Sequence, residues 1–157
     1  MKILMVCLGN ICRSPLAEGI LREKLNTSPG HFEVDSAGTG GWHAGESPDS
    51  RSIKVARING IDISGQRARQ VTKDDLNRFD LIFAMDESNY KYLLGISEEK
   101  QKKKIHLYLD FAGLGQQDVP DPWYGDHSDF EAVFNLLSKT GDRVAERIVN
   151  EYVDKQN

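Results

Sequence analysis

Two cysteines, Cys7 and Cys12, stand five positions apart, and Arg13 follows the second directly. A cysteine is a strong nucleophile as its thiolate, and a guanidinium offers a planar fork that grips two oxygens of one phosphate. Between them lie Leu8, Gly9, Asn10 and Ile11, and Ser14-Pro15 follows. Ile3 to Cys7 is an unbroken apolar run, suited to a strand buried on both faces. Leu16, Ala17, Ile20, Leu21 and Leu25 then recur at helical spacing. A strand that enters a helix through a short loop turns several backbone N–H groups into one concavity, and the helix dipole adds positive potential there. The segment therefore predicts an anion cradle with a thiol at its base. Gly9 is expected to supply a backbone conformation closed to side chains, and Asn10 tolerates the left-handed region. In this positive field the Cys7 thiol is expected to ionise well below the free value of ~8.5. Taken singly, either residue is more often structural, the cysteine as a small buried apolar group and the arginine in a surface ion pair. Their joint spacing across a strand–helix junction is what points to chemistry. The Lys-Ser/Thr ending of the nucleotide-binding P-loop is missing.

The elements that would position this loop alternate along the chain. Ser14 reads as the N-cap of the first helix, with Pro15 at its first position and an end near Asn26. Phe32 and Val34 alternate with Glu33 and Asp35 as a second strand. Residues 37–48 are glycine-rich and read as a loop. A helix follows from about Pro48 to Asn59, closed by Gly60 as a left-handed cap. Thr72-Lys73-Asp74-Asp75 reads as a short capped helix. Leu81 to Met85 is a third buried strand, and Asp86 caps a helix that Gly95 is expected to stop. Ile105 to Leu109 is a fourth, weaker strand. Lys100 to Lys104 reads as a solvated surface turn, and residues 113–127 as a loop. Ser128-Asp129-Phe130-Glu131 has capping-box spacing, ahead of an apolar stripe through Phe130, Val133, Phe134, Leu137, Val144, Ile148 and Tyr152. This alternation predicts an α/β fold, a doubly wound four-stranded parallel sheet with helices on both faces in three layers. Ligands in such sheets bind beyond the carboxyl ends of the strands, so the loops after Cys7, Ser36, Met85 and Leu109 are expected on one face.

Composition narrows the function classes. A chain of 157 residues is expected to form a single domain, residues 1–157. Its 39% hydrophobic content is enough for a core. A net charge of -4 argues against general nucleic-acid binding but not against a small, locally positive anion pocket. No apolar run approaches the ~18 residues of a membrane span, and the opening run is too short for a signal-peptide core. The expectation is a cytoplasmic protein with reduced thiols and no membrane association. Two cysteines without paired histidines complete no zinc site, so no metal or other cofactor is expected. A monomer is the default, since no oligomer surface is visible.

Val6-Cys7-Leu8-Gly9-Asn10-Ile11-Cys12-Arg13-Ser14-Pro15 resembles the signature of the low-molecular-weight protein tyrosine phosphatases. The resemblance extends, in order and spacing, through Asp35-Ser36-Ala37-Gly38, Gly45-Glu46-Ser47-Pro48-Asp49, Ala68-Arg69-Gln70-Val71-Thr72, Met85-Asp86-Glu87-Ser88-Asn89 and Asp121-Pro122-Trp123-Tyr124-Gly125. It covers essentially the whole chain. It implies phosphotyrosine-containing proteins and small aryl phosphates as substrates, phosphate or vanadate-like oxyanions as ligands, and a cysteinyl-phosphate intermediate. It implies Cys7 as nucleophile, Arg13 and the loop from Leu8 through Gly9, Asn10, Ile11 and Cys12 to Ser14 as the phosphate cradle, and Asp121 as general acid and base. Ser14 would donate to the Cys7 sulfur, and Asn10, Ser36 and Asp86 would brace the loop. Trp42, Trp123 and Tyr124 would line a slot for the substrate's ring. A reversible Cys7–Cys12 disulfide is also implied. One departure is Gln66, where the family commonly has a histidine: a Gln amide keeps a hydrogen bond but brings no charge. The four histidines match no such role and read as surface or structural.

Three rivals share some of these features. An arsenate reductase on the same fold needs cysteines downstream of Cys12, and there are none. A phosphoarginine phosphatase tends to carry Thr where this chain has Ile11. A non-catalytic phosphate-binding module would lack the nucleophile or the acid, and both are present.

Overall fold

Ile3, Leu4, Met5 and Val6 are fully shielded from solvent because their strand lies at the centre of the molecule. The computed structural model describes residues 1–153. Strand β1 (Lys2–Cys7) pairs in parallel with β2 (Glu33–Gly38) on one side and β3 (Leu81–Ala84) on the other, and β4 (Ile105–Leu107) closes the order β2-β1-β3-β4. The side chains alternate as a pleated strand requires. Ile3, Met5, Leu81 and Phe83 face one core, while Leu4, Val6, Ile82, Ala84, Ile105 and Leu107 face another. The first core is covered by α1 (Arg13–Leu25), α2 (Ser50–Ile58), α5 (Tyr108–Phe111) and α6 (His127–Ile148). The second is covered by α3 (Asp75–Arg78) and α4 (Glu87–Ile96). Four parallel strands with helices on both faces match the expected three-layer fold. Among the described residues no helix is long and apolar enough to cross a membrane.

Several boundaries differ from the expectation, each for a local reason. Helix α1 begins at Arg13, with Cys12 as its N-cap and no capping side chain, so Ser14 is helical. Its hydroxyl is engaged elsewhere, as described below. At α6 the cap is Asp126, whose carboxylate accepts from the Ser128 amide, with Asp129 closing the capping box. That box begins two residues earlier than the Ser128 pattern suggests. Gly95 does not stop α4, which runs to Ile96 and ends at an extended Ser97. β4 is shorter than expected because Tyr108 and Leu109 turn into α5, where Tyr108 is fully buried and packs edge-on against Phe83. Lys100–Lys104 forms a 3-10 helix, Glu99–Lys104, rather than a plain turn. Asp86 caps α4 as expected, accepting from the Asn89 amide, and Gly60 follows α2 with φ of 80°.

The β1–β2 ladder does not stop where β1 ends. Thr39 donates its amide to Cys7 O and Gly40 donates to Leu8 O, each at 2.9 Å. A side chain at Gly38 would meet Leu8 O at 2.8 Å, so only glycine lets the two backbones approach this closely. Gly38 also exchanges hydrogen bonds with the segment around Gln70: its amide donates to Arg69 O, and Val71 N donates to Gly38 O. That segment is anchored by Asp75, a buried carboxylate that accepts from Arg69 Nη1 at 2.9 Å and from the Thr72 amide at 2.8 Å. Burial raises the Asp75 pKa, but these bonds to its charged form outweigh burial and hold it below the ordinary carboxylate value. The stabilisation is therefore complete above the unfolded value of about 3.9 and is lost as pH falls through the lower folded value. Asp75→Asn should cost about 1.5–3 kcal/mol at neutral pH, read as a lower urea midpoint, and the deficit should shrink toward pH 3.

Candidate active site

The loop from Leu8 to Cys12 links a strand end to a helix start across the sheet's carboxyl edge. Asn10 takes φ of 57°, the one non-glycine residue with positive φ among those described. Its amide group is tied three times. Nδ2 donates to Ser14 Oγ at 2.8 Å and to Ser36 Oγ at 2.9 Å, and Oδ1 accepts from the Arg69 amide at 3.0 Å. Gly9 does not have positive φ, so it does not supply the expected backbone conformation closed to side chains. Its lack of a side chain serves contact instead, since a Cβ there would lie 3.1 Å from His43 Cδ2. Among the described residues, none of the amides from Gly9 to Cys12 donates to a protein acceptor. Those amides, with the first-turn N–H groups of α1, are free for an anion.

Ser14 Oγ lies 3.0 Å from Cys7 Sγ. Because Asn10 already donates to that oxygen, the hydroxyl proton is free to point at the sulfur. This contact is why Ser14 is not available as a helix cap. The line of bonds continues inward: Ser36 Oγ donates to Glu18 Oε1 at 2.8 Å, and Arg22 Nη2 donates to Glu18 Oε2 at 2.7 Å. Glu18 is only 3% exposed. Burial raises its pKa, and the bonds from Ser36 and Arg22 oppose the rise only in part. Sequence reading missed Glu18, although Ser14, Glu18 and Arg22 stand at i, i+4 spacing on one helix face. Gln66 Nε2 donates to Pro15 O at 3.1 Å, while its Oε1 is buried without a partner. The Gln amide thus keeps one hydrogen bond, to the first turn of α1.

Arg13 is 3% exposed, a burial that a guanidinium tolerates only with partners. Nη1 donates to Asp86 Oδ2 at 2.7 Å and to Val119 O at 3.0 Å, and Nη2 stands 3.7 Å from Asp121 Oδ2. Burial lowers the Arg13 pKa, but Cys7, Asp86 and Asp121 outweigh it, so the side chain remains a cation. Asp121 sits on the loop between α5 and α6, 42% exposed, its Oδ1 accepting from the Trp123 amide at 3.0 Å.

These groups line one open cleft of about 240 Å³, with the buried Cys7, Ile11, Cys12 and Arg13 at its floor and the less buried Leu8, Gly9, Trp42, His43, Asp121, Trp123 and Tyr124 around them. Pockets for drug-sized ligands run to roughly 300–1,000 Å³, so this smaller cleft suits one aromatic ring and an anion rather than an extended molecule. Trp42 and Tyr124 are 72% and 94% exposed and form a rim, while Trp123 packs lower against His43, with ring centroids 6.0 Å apart. His43 is the second residue the sequence reading missed. It was read as surface or structural, but it lines the cleft, with Nδ1 hydrogen-bonded to Glu46. Asn10, Ser36 and Asp86 contact the loop and its arginine rather than lining the cleft. Among the described residues no three His, Cys, Asp or Glu side chains are grouped to hold a metal ion.

Cys7 and Cys12 are both free thiols. Burial first, then the negative charges of Asp49, Cys7 and Asp121, push the Cys12 pKa up to about 12. Cys12 therefore stays protonated at neutral pH. Iodoacetate at pH 7 should carboxymethylate Cys7 and leave Cys12 unmodified, as read by peptide mass spectrometry, and inorganic phosphate should slow the labelling. Modification of Cys12 first would contradict this assignment.

Residues 2–156 match the family described as low molecular weight phosphotyrosine protein phosphatase. A human protein with that same name is 44% identical over 138 residues, covering 85% of this chain and 86% of its own. The low molecular weight protein-tyrosine-phosphatase YfkJ of Bacillus subtilis is 43% identical over 143 residues, covering 89% and 90%. Among solved structures, a protein tyrosine phosphatase from Entamoeba histolytica with Hepes in its active site superposes with a TM-score of 0.88 at 37% identity, covering 96% of this chain and 97% of that one. The YwlE arginine phosphatase reaches a TM-score of 0.90 at 19% identity, covering 98% and 99%, a likeness of fold alone.

Proposed function

The chain belongs to the low molecular weight phosphotyrosine protein phosphatase family, and within that family we propose that Cys7, Arg13 and Asp121 carry out a two-step hydrolysis of phosphotyrosine. The observation that carries the reading is the convergence of three groups from distant segments on one cleft: the Cys7 sulfur, a buried guanidinium, and a carboxylate 3.7 Å from that guanidinium. Cys7 attacks phosphorus in line. Arg13 and the free loop amides take the non-bridging oxygens, whose charge is spread in the transition state. Asp121 protonates the departing phenolate oxygen. The same carboxylate then takes a proton from water, which cleaves the cysteinyl-phosphate. The covalent intermediate divides one difficult displacement into two. Ser14, held by Asn10, donates to the sulfur and eases its departure in the second step.

Substrate choice follows from depth. The sulfur lies at the floor and the aromatic side chains stand above it, so a phosphate must be carried down on a flat, rigid stem. A tyrosine ring packing between Trp123 and the rim residues Trp42 and Tyr124 provides that stem. Phosphoserine is too short. The reading extends to small aryl phosphates as substrates and to vanadate as a ligand. It also extends to reversible oxidation, in which peroxide converts Cys7 to a sulfenic acid and the Cys12 thiol condenses with it, releasing water. A working thiol suits a reducing compartment, so the reading places the protein in the cytoplasm, with a monomer as the default state.

Cys7→Ser should lower kcat on an aryl phosphate by more than about 10³-fold. Asp121→Ala should lower it by about 10²–10⁴-fold while vanadate binding changes little. Phosphate release from matched phosphotyrosine, phosphoserine and phosphoarginine peptides should be confined to the first. Preferred release from phosphoarginine would replace this reading with the arginine phosphatase alternative, and no release from any would favour a binding module.

A further inference from the structure

Asp121 is less well held than its role demands. Its side chain is 42% exposed, and besides the Trp123 amide its close polar neighbour is Arg13 at 3.7 Å. A general acid must lie within hydrogen-bond reach of the leaving oxygen, and a displacement near 1 Å can cost about 10²-fold. Something else must fix the loop that carries it.

That loop folds on itself through the Asp121–Trp123 bond and a bond from the Gly125 amide to Pro122 O at 2.9 Å. Its start is held at Val119, whose amide donates to Met85 O and whose carbonyl accepts from Arg13, and its far side is gripped by Arg51, in the first turn of α2. Nη1 of Arg51 donates to Gly125 O at 3.1 Å. The guanidinium carbon lies 5.6 Å from the Trp123 ring centroid and 4.4 Å from that of Phe130, a buried residue of α6. The guanidinium is itself immobilised from behind by Asp49, with Nε to Oδ1 and Nη2 to Oδ2 both at 3.0 Å. Asp49 in turn caps α2 and donates its amide to Ile11 O in the phosphate loop. One side chain thus joins the Asp121 loop, α6 and, through Asp49, the loop of Cys7. A two-point carboxylate clamp, a carbonyl bond and two aromatic faces require a planar guanidinium, which an ammonium cannot replace.

We propose that Arg51 is a positioning residue for Asp121, holding the acid-bearing loop at a fixed height above the phosphate loop. This rests on the reading of Asp121 as general acid. The competing view is that Arg51 merely completes the helix cap with Asp49.

The distinguishing readout is leaving-group dependence. A good leaving group departs without a proton, so loss of a general acid affects poor leaving groups selectively. kcat/KM would be measured for phenyl phosphate and for dinitrophenyl phosphate in the parent protein, R51A, R51K, D121A and the double variant R51A/D121A. R51A should lose about tenfold on phenyl phosphate and less than about twofold on dinitrophenyl phosphate, with vanadate affinity unchanged. R51K should behave like R51A, and the double variant should be no slower than D121A. An equal loss on both esters in R51A and R51K, or a loss in the double variant that multiplies the single losses, overturns the proposal. If R51A is too unstable to assay, R51K carries the same comparison. Should D121A itself show no leaving-group selectivity, the acid assignment fails and the proposal fails with it. Selectivity in D121A without selectivity in the Arg51 variants overturns the proposal alone.

Discussion

Between the end of β1 at Cys7 and the start of α1 at Arg13, the backbone must reverse and face its amides inward. A residue in the left-handed region turns successive amides into one concavity, and here that residue is Asn10. The conformation costs a non-glycine residue of order 1–3 kcal/mol. Three hydrogen bonds from the Asn10 side chain, each contributing about 0.5–1.5 kcal/mol, offset that cost. Their partners come from α1, β2 and the segment before α3, so the loop is clamped from three directions. Glycine would take the same turn without strain but would leave the loop free. Asn10 donates to the Ser14 oxygen, which leaves the hydroxyl proton free to point at the sulfur. The geometry at Cys7 thus follows from how one turn is held.

Charge obeys the same logic of local arrangement. The chain is acidic overall, yet its cleft holds a buried cation and several unpaired amides. Burying an unpaired guanidinium would cost several kcal/mol. Asp86 removes most of that cost, and its two oxygens serve two elements: Oδ2 accepts from Arg13 and Oδ1 caps α4. Nη1 of Arg13 is therefore locked to the loop after β3 and to Val119, while Nη2 remains turned toward Asp121. One side of the guanidinium is held by structural partners and the other faces the cleft. Exposed charges more than about 10 Å from the cleft are largely screened by salt.

Much of this was legible in the chain itself. Continuous apolar runs marked β1 and β3 because a strand buried on both faces leaves no polar positions. The stripe from Phe130 to Tyr152 marked α6, which ends at Ile148, because a long amphipathic helix repeats its pattern many times. The errors gather where competing partners decide a boundary. Ser14 and Ser128 have good capping chemistry, but Ser14 is committed to Cys7, and Asp126 reaches the free amides of α6 first. Gly95 lies in a helix whose other contacts hold it. Tyr108 has strand propensity, yet its burial against Phe83 is achieved from a helical turn. Glu18, His43 and Arg51 each have one partner nearby in sequence, Arg22, Glu46 and Asp49, but the contacts that give them a place at the site, with Ser36, Gly9 and Gly125, cross segments that no spacing rule connects.

The sequence by itself determined the local chemistry: a thiol, a short loop with Asn10, an arginine and a helix start, all within eight residues. Those relationships are local, and the allowed backbone angles of a strand–loop–helix leave them little freedom. Only the tertiary structure decided that Asp121 would stand 3.7 Å from Arg13, that Trp123 would pack beside His43, and that Gly38 would press against Leu8. Each of these depends on how far apart packed layers sit and at what angle. That spacing is a property of the whole core, shared among many side chains, and it exists only once the sheet and its helices have closed on one another.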